Sequence, residues 1–457
     1  MHSLFASLDA FFAKAVDIAW GIPLVVWLIG AGLFFSIVGG FVPRRLGHAI
    51  DILRGRYDDP NDPGEITHFQ ALSAALSATI GMGNIAGVAI AVQSGGPGAV
   101  FWMWIAGLVG MSTKFFTCTL AILYRKEDQA GVPQGGPMYF IEVGLGPAFK
   151  ALSVFFALCG MIGCLGLFQV NQLSGLLSEF HGVPNWLTGV VSCAIVAVVI
   201  LGGISRVGKV AARVVPTMAG IYIVGASAVI GRYIGRVPGV IATIFRQAFG
   251  SSAVAGGVAG LTFRQVLTTG VKRAAFSNEA GLGTAPMAHG AARTKEPVRE
   301  GLIAMIGPLI DTNVICTLTA LVILCSGVEG QAVSGDYKGA VLTAIAFEQA
   351  LSVAGRNLLT IAIVLFSVST MISYSYYSVK CAKYLAGERV GGTYVYVYLL
   401  SLPVAAIWSQ NLVINLLDTA FAAMAIPTLF GALMLFNRVR TQSTDYFKRM
   451  AADREAA

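Results

Sequence analysis

Apolar runs of about 20 residues recur along this chain, separated by short polar stretches, and a helix of that length crosses a hydrocarbon core. About eleven runs stand out, centred on residues 17–42, 67–94, 98–124, 149–178, 185–203, 207–231, 254–292, 299–326, 354–386, 391–408 and 411–437. The composition agrees with that reading. Hydrophobic residues make up 56% of the 457 and charged ones 12%, about half the charge of an ordinary soluble domain. The pattern predicts an all-α polytopic membrane protein with the lipid bilayer as solvent. Glycine is abundant at 54 residues, which suits helices that associate through close backbone approach.

The net charge of +8 points to topology and away from nucleic acid, because the basic residues sit in short loops between apolar runs. Placing the loop of Arg44, Arg45, Arg54 and Arg56 in the cytoplasm puts four more basic groups there: Arg125 and Lys126; Arg206, Lys209 and Arg213; Arg293, Lys295 and Arg299; and Lys380 and Lys383. The tail with Arg438, Arg440, Lys448 and Arg449 follows them. The turns 94–98, 179–185 and 409–411 contain no Lys or Arg, while Arg232, Arg236 and Arg246 run against the rule. The expectation is a bacterial-type inner-membrane protein, N-terminus out and C-terminus cytoplasmic. The seven cysteines lie singly in apolar runs and read as small core residues. The first run is too long for a cleavable signal and stays as a helix.

Setting the first run aside leaves about ten, which divide five and five; an odd number per half forces opposite orientations, an inverted repeat. The expected divisions are 1–66 (extra helix and basic loop), 67–232 (first repeat), 233–437 (second repeat with its extracellular connection) and 438–457 (basic tail). Folds of this kind break the first helix of each half near mid-membrane. Interruptions appear at Ala78–Asn84, reading ATIGMGN, and at Phe276–Gly283, reading FSNEAGLG. Gly81 and Gly83 lower the cost of leaving helical geometry, and unwinding bares N–H and C=O groups that lipid cannot satisfy. Half-helix N-termini then suit a carboxylate and freed carbonyls suit a small cation such as sodium. Asn84 adds an amide at the same level that can ligate or hydrogen-bond.

Ser277, Asn278 and Glu279 gather three polar groups at membrane depth, where a carboxylate is costly. Glu279 reads either as functional or as a structural partner of freed N–H groups, Lys272 or Arg273. Gln169 shares a helical face with Leu165 and Gln172 and reads as a pocket wall, with ordinary interhelical bonding as the alternative. Ser369 and Thr370 lie together in a run rich in hydroxyls, opposite the first break. Asp311 and Asp418 are further intramembrane acids suited to ion coupling or gating, with no partner evident.

The stretches Gly81-Met82-Gly83-Asn84-Ile85-Ala86-Gly87-Val88, Gly95–Trp104, Gly135–Tyr139 and Phe276–His289 resemble the alanine or glycine:cation symporter family, and the likeness covers nearly the whole chain. That family is similar in fold to the LeuT-type transporters, with a five-plus-five inverted repeat, here preceded by one extra helix. The resemblance implies sodium-coupled symport of a small neutral amino acid by alternating access, with sodium as coupling ion and no other cofactor, working as a monomer. It implies that Thr79, Ile80, Gly81, Met82 and Gly83, with Asn84, meet the substrate carboxylate, that Phe276 and Ser277 line the opposite wall, and that Gln169 lies near the amino group. It implies a sodium site from carbonyls near Ser77 and Ile80, the carbonyl near Phe366 and the hydroxyls of Ser369 and Thr370.

Three positions depart from the family pattern: Met82 stands for Thr, Ala274 for Gly and Tyr374 for Trp. The last leaves room and adds a hydroxyl, so the substrate range is expected to differ from plain alanine. Other classes fit less well. An intramembrane protease using Ser277 with His289 has the wrong spacing for one helical face. Paired breaks favour a carrier over an uncoupled channel or a sensor derivative that has lost transport, which stays the lesser alternative. Proton coupling would use Glu279 or Asp311 as relay.

Overall fold

In lipid, backbone N–H and C=O groups find partners only within the chain, so an apolar run closes its own bonds as helix. The computed structural model describes residues 2–40, 42–128, 131–249, 263–330 and 339–456. In chain order the helices are α1 His2–Ala19, α2 Ile22–Val38, α3 Leu46–Leu53, α4 His68–Thr79, α5 Val88–Gly95, α6 Gly98–Leu123, α7 Pro137–Leu145, α8 Lys150–Gly163, α9 Leu167–His181, α10 Asn185–Ile200 and α11 Gly203–Arg232. There follow α12 Val237–Gln247, α13 Phe263–Asn278, α14 Ala285–His289, α15 Pro297–Ala304, the single turn α16 Ile306–Pro308, α17 Thr317–Ser326, α18 Ala340–Gly392, α19 Tyr394–Ala406, α20 Gln410–Met434 and α21 Phe436–Ala456. Each apolar run carries helix over most of its described length; residues 254–262 of the run 254–292 lie outside the described residues.

Among the described residues, six helices or helical stretches are long and apolar enough to cross a membrane, or eight if each of two bent pairs is one span. The pairs are Asp9–Ala19 with Ile22–Val38, bent by 49°, and His68–Thr79 with Gly83–Gly95, bent by 47°. The chain is thus a multi-pass membrane protein. Two short antiparallel strands, Lys126–Glu127 and Pro133–Gln134, add a small hairpin to an otherwise helical molecule. α18 is kinked at Ser352 (φ 58°, ψ −153°) and at Gly387 (φ 79°), so its membrane-spanning part starts near residue 353.

The packing centres on the short helices. α4 lies against α11 and α18, α13 against α5 and α6, and α15 against α6, while α20 joins α1 to α8. Small residues permit this approach: a methyl group on Gly110 would stand 2.9 Å from Ala280, and one on Gly270 would stand 2.4 Å from the Ala99 carbonyl.

Candidate substrate and ion site

α4 starts with a capping box, Thr67 accepting from Gln70 N and Gln70 accepting from Thr67 N, so its first turn is anchored locally. It ends at Thr79, whose hydroxyl bonds back to Ala75 O. Ile80 is extended (φ −72°, ψ 94°), and the chain resumes through a wide turn over Gly83–Gly87. The freed N–H of Gly81 donates to Asn84 Oδ1 at 2.8 Å.

The second break lies slightly later than the sequence suggests. Phe276 and Ser277 form the last turn of α13, and the chain unwinds over Glu279–Gly283, where Glu279 (φ 57°), Gly281 (φ 87°) and Gly283 (φ 91°) are left-handed. Asn278 stops the helix there, its Oδ1 accepting from Ala280 N at 2.9 Å and its Nδ2 donating to Thr312 Oγ1 at 2.9 Å. Neither Lys272 nor Arg273 pairs with Glu279, because both lie about two turns back along α13, roughly 10 Å away. Both turn to Asp418 instead, Lys272 Nζ at 3.5 Å and Arg273 in closer contact. Glu279 accepts from Thr284 Oγ1, lies beside Tyr374, and keeps Oε1 without a hydrogen-bond partner.

The two breaks touch. A methyl group on Gly83 would stand 3.0 Å from the Ser277 Cα. Asp311 bridges the two segments: Asn84 Nδ2 donates to Oδ1 at 2.7 Å, and Ser277 Oγ and Thr312 Oγ1 donate to Oδ2 at 2.9 and 2.7 Å. Asn84, Ser277 and Asp311 are all buried. The wide turn over Leu309–Cys316 carries Asp311, and such turns inside helices frequently mark functional sites. Asp311's partners come from 227 and 34 residues away, so only the folded chain names them.

A second polar cluster joins α4 to α18. Thr370 Oγ1 donates to Ser77 O at 3.0 Å, Ser77 Oγ donates to Ser369 O at 2.9 Å, and Ser369 Oγ donates to Phe366 O at 3.1 Å. Gly81, next to Ile80, packs directly on Thr370. Ser77, Phe366, Ser369 and Thr370 therefore converge at the first break, and Met218 of α11 brings its sulfur 3.2 Å from Ser369 Oγ, a contact that nothing in the sequence pattern reveals.

Around this core, Phe276 packs edge-on to Phe168 at 4.9 Å between ring centres and against Phe421 at 5.3 Å. Gln169, next to Phe168, is buried with Oε1 unpartnered, whereas Gln172 accepts from Ala340 N at 3.2 Å and Asn171 holds the carbonyls of Ala405 and Trp408. Thr79, Ile80, Met82 and Tyr374 are buried too. Lys114 is a fully enclosed lysine of α6 whose acidic neighbours include Glu279 and Asp311. A lone Lys within an apolar run was its only signal in the sequence. Ser277 and His289 hold different carboxylates, Asp311 and Glu300, and form no nucleophile–base pair.

On the side of the basic loop 44–56, a cavity of about 460 Å³ reaches up to Ser375, Tyr376 and Lys380, close to the core. On the far side, a cavity of about 310 Å³ lies between the end of α1 and α13, lined by Asp17, Trp20, Thr268 and Lys272. Buried broken helices that meet at a polar centre suit a carrier.

The chain belongs to the sodium:alanine symporter family, whose model matches residues 5–457. It is 41% identical over 426 residues to the sodium/alanine symporter AgcS of Methanococcus maripaludis, covering 91% of this chain and 92% of that one. It is 37% identical over 460 residues to an uncharacterized transporter of Haemophilus influenzae, covering 98% and 97%. Among solved structures it resembles MhsT in complex with L-phenylalanine, with a TM-score of 0.59 at 12% identity over 82% of this chain and 90% of that one, a likeness of fold. The protein is a transporter and not an enzyme.

Proposed function

We infer that this protein imports a small neutral amino acid, alanine foremost and glycine with it, together with sodium, by alternating access in a bacterial-type inner membrane. The observation that carries the reading is the meeting of the two breaks, with Gly83 on Ser277 and Asp311 shared between Asn84 and Ser277. Baring main-chain N–H groups at one point suits a carboxylate, and the segment Thr79–Gly83 with Asn84 receives it. Phe276, Ser277 and Tyr374 enclose the side chain, and the free Oε1 of Gln169 accepts from the ammonium. Sodium binds between the Ser77 and Ile80 carbonyls, the Phe366 carbonyl and the hydroxyls of Ser369 and Thr370, hard oxygen ligands suited to such an ion.

The architecture in this reading is a five-plus-five inverted repeat over 67–232 and 233–437 after an extra N-terminal span, about eleven spans in all. The basic side is cytoplasmic, the N-terminus outside, and the monomer the working unit. Radiolabelled alanine uptake into proteoliposomes tests this: an inward sodium gradient at fixed pH drives accumulation that glycine competes for, and uptake indifferent to sodium refutes it. A proton-coupled carrier is the second reading, favoured by the unpartnered Oε1 of buried Glu279. A pH gradient without sodium then drives the uptake.

A further inference from the structure

Away from the central site, Glu300 of α15 is wholly buried between two histidines. His68 Nδ1 bonds one carboxylate oxygen and His289 Nδ1 the other, the latter at 2.5 Å. His68 is the first residue of α4 and His289 the last of α14. One carboxylate therefore ties the basic-side halves of both broken helices to each other and to the start of the next span. Each imidazole leaves Nε2 without a hydrogen-bond partner, so the side-chain hydrogen bond that holds each ring is the one to Glu300. Arg299 and Asp58 flank His68, and Arg125 faces Glu300.

The backbone reinforces the tie. The lead into α4 and the exit from α14 run as a parallel pair: Glu65 N donates to Ala291 O at 2.9 Å, Arg293 N to Ile66 O at 2.7 Å and Thr294 N to Pro63 O at 3.1 Å. Arg125 clamps the pair through Pro63 O and Ala292 O. If α4 swung out alone, it would strip these bonds and leave a buried charge and buried amides unpaired, each of which carries a large penalty.

We propose that His68, Glu300 and His289 are positioning residues that fasten α4 and α14 with α15 into one body, so that the inner gate opens by movement of this unit. The proposal rests on the alternating-access reading. Two measurements on the full chain in proteoliposomes test it. In Ile66→Cys/Ala292→Cys, oxidation joins the paired residues, and the joined protein keeps at least about half of its sodium-driven alanine uptake. A fall to about a tenth that reductant reverses, with wild type unaffected by the same treatment, means α4 must part from α14 and overturns the proposal.

In Glu300→Gln the tie is weakened while side-chain shape is kept, and preloaded alanine leaks out without sodium about threefold faster per folded transporter than from wild type. Efflux equal to wild type overturns the role of Glu300. Wild type lacking sodium-driven uptake altogether refutes the symport reading itself, an outcome distinct from either of these.

Discussion

A methyl group at position 81 has no free space: it would stand 2.4 Å from Thr370 Oγ1, the atom that also donates to Ser77 O. Overpacking of that sort costs about 1–3 kcal/mol, and in Gly81→Ala it acts on the proposed sodium ligands. The apparent sodium affinity for uptake is expected to weaken by about tenfold, the equivalent of about 1.4 kcal/mol, read from uptake against sodium concentration. Removing both hydroxyls in Ser369→Ala/Thr370→Ala takes away two oxygen ligands and abolishes sodium stimulation; full stimulation in that variant removes the site. Tyr374 bears on selectivity. Its hydroxyl beside Glu279 gives the pocket a polar wall, so Tyr374→Trp is expected to fill the space and favour alanine over larger substrates by about 10-fold or more in competition assays. An unchanged preference places Tyr374 outside the selecting wall.

The second break is an element whose shape its glycines enforce. Gly283 has φ 91°, and a methyl group there would stand 2.4 Å from Thr428 Oγ1 and 2.7 Å from Phe156 and Pro137. Gly283→Ala therefore combines backbone strain with overpacking, together about 2–5 kcal/mol, and thermal unfolding in detergent should occur several degrees lower. A melting point equal to wild type means the break is pliant. The glycines made both breaks legible in the sequence, since Gly81, Gly83, Gly281 and Gly283 interrupt apolar runs where a helix former is expected. The exact start of the second break was not legible, because Glu279 is a non-glycine residue in left-handed geometry, held by Thr284 and by the turn that Asn278 imposes. Pairings were hidden for a different reason. Arg273 meets Asp418 from 145 residues away and His68 meets Glu300 from 232, and composition and periodicity specify helix faces but not which distant faces adjoin.

At the scale of the whole molecule, the polar centre sits behind two unequal seals. Toward the basic side, the vestibule reaches Ser375, the residue after Tyr374, and Tyr376, Val379 and Lys380 beyond it. Toward the far side, Arg273 and Asp418 close over Phe276, with the guanidinium 5.4 Å from the ring centre, and Trp20, just past α1, donates to the Asp418 carbonyl at 2.8 Å. The turn that follows α1 thus helps hold this seal. That seal is incompletely satisfied: Arg273 Nε and Nη1 and Asp418 Oδ1 lack partners, so opening to water returns hydrogen bonds that the closed state forgoes. Breaking a buried pair by removing one partner costs about 3–5 kcal/mol, and in Asp418→Asn the cost falls on the state that buries Arg273. The balance should shift toward opening on the far side and closing of the basic-side vestibule. A cysteine introduced at Val379, which lines that vestibule, reports the balance through its reaction with an impermeant maleimide applied from the basic side. Adding Asp418→Asn to Val379→Cys is expected to slow the reaction by about tenfold, which corresponds to about 1.4 kcal/mol of differential stability. An unchanged rate means that the Arg273–Asp418 pair serves packing alone and does not set which side is open.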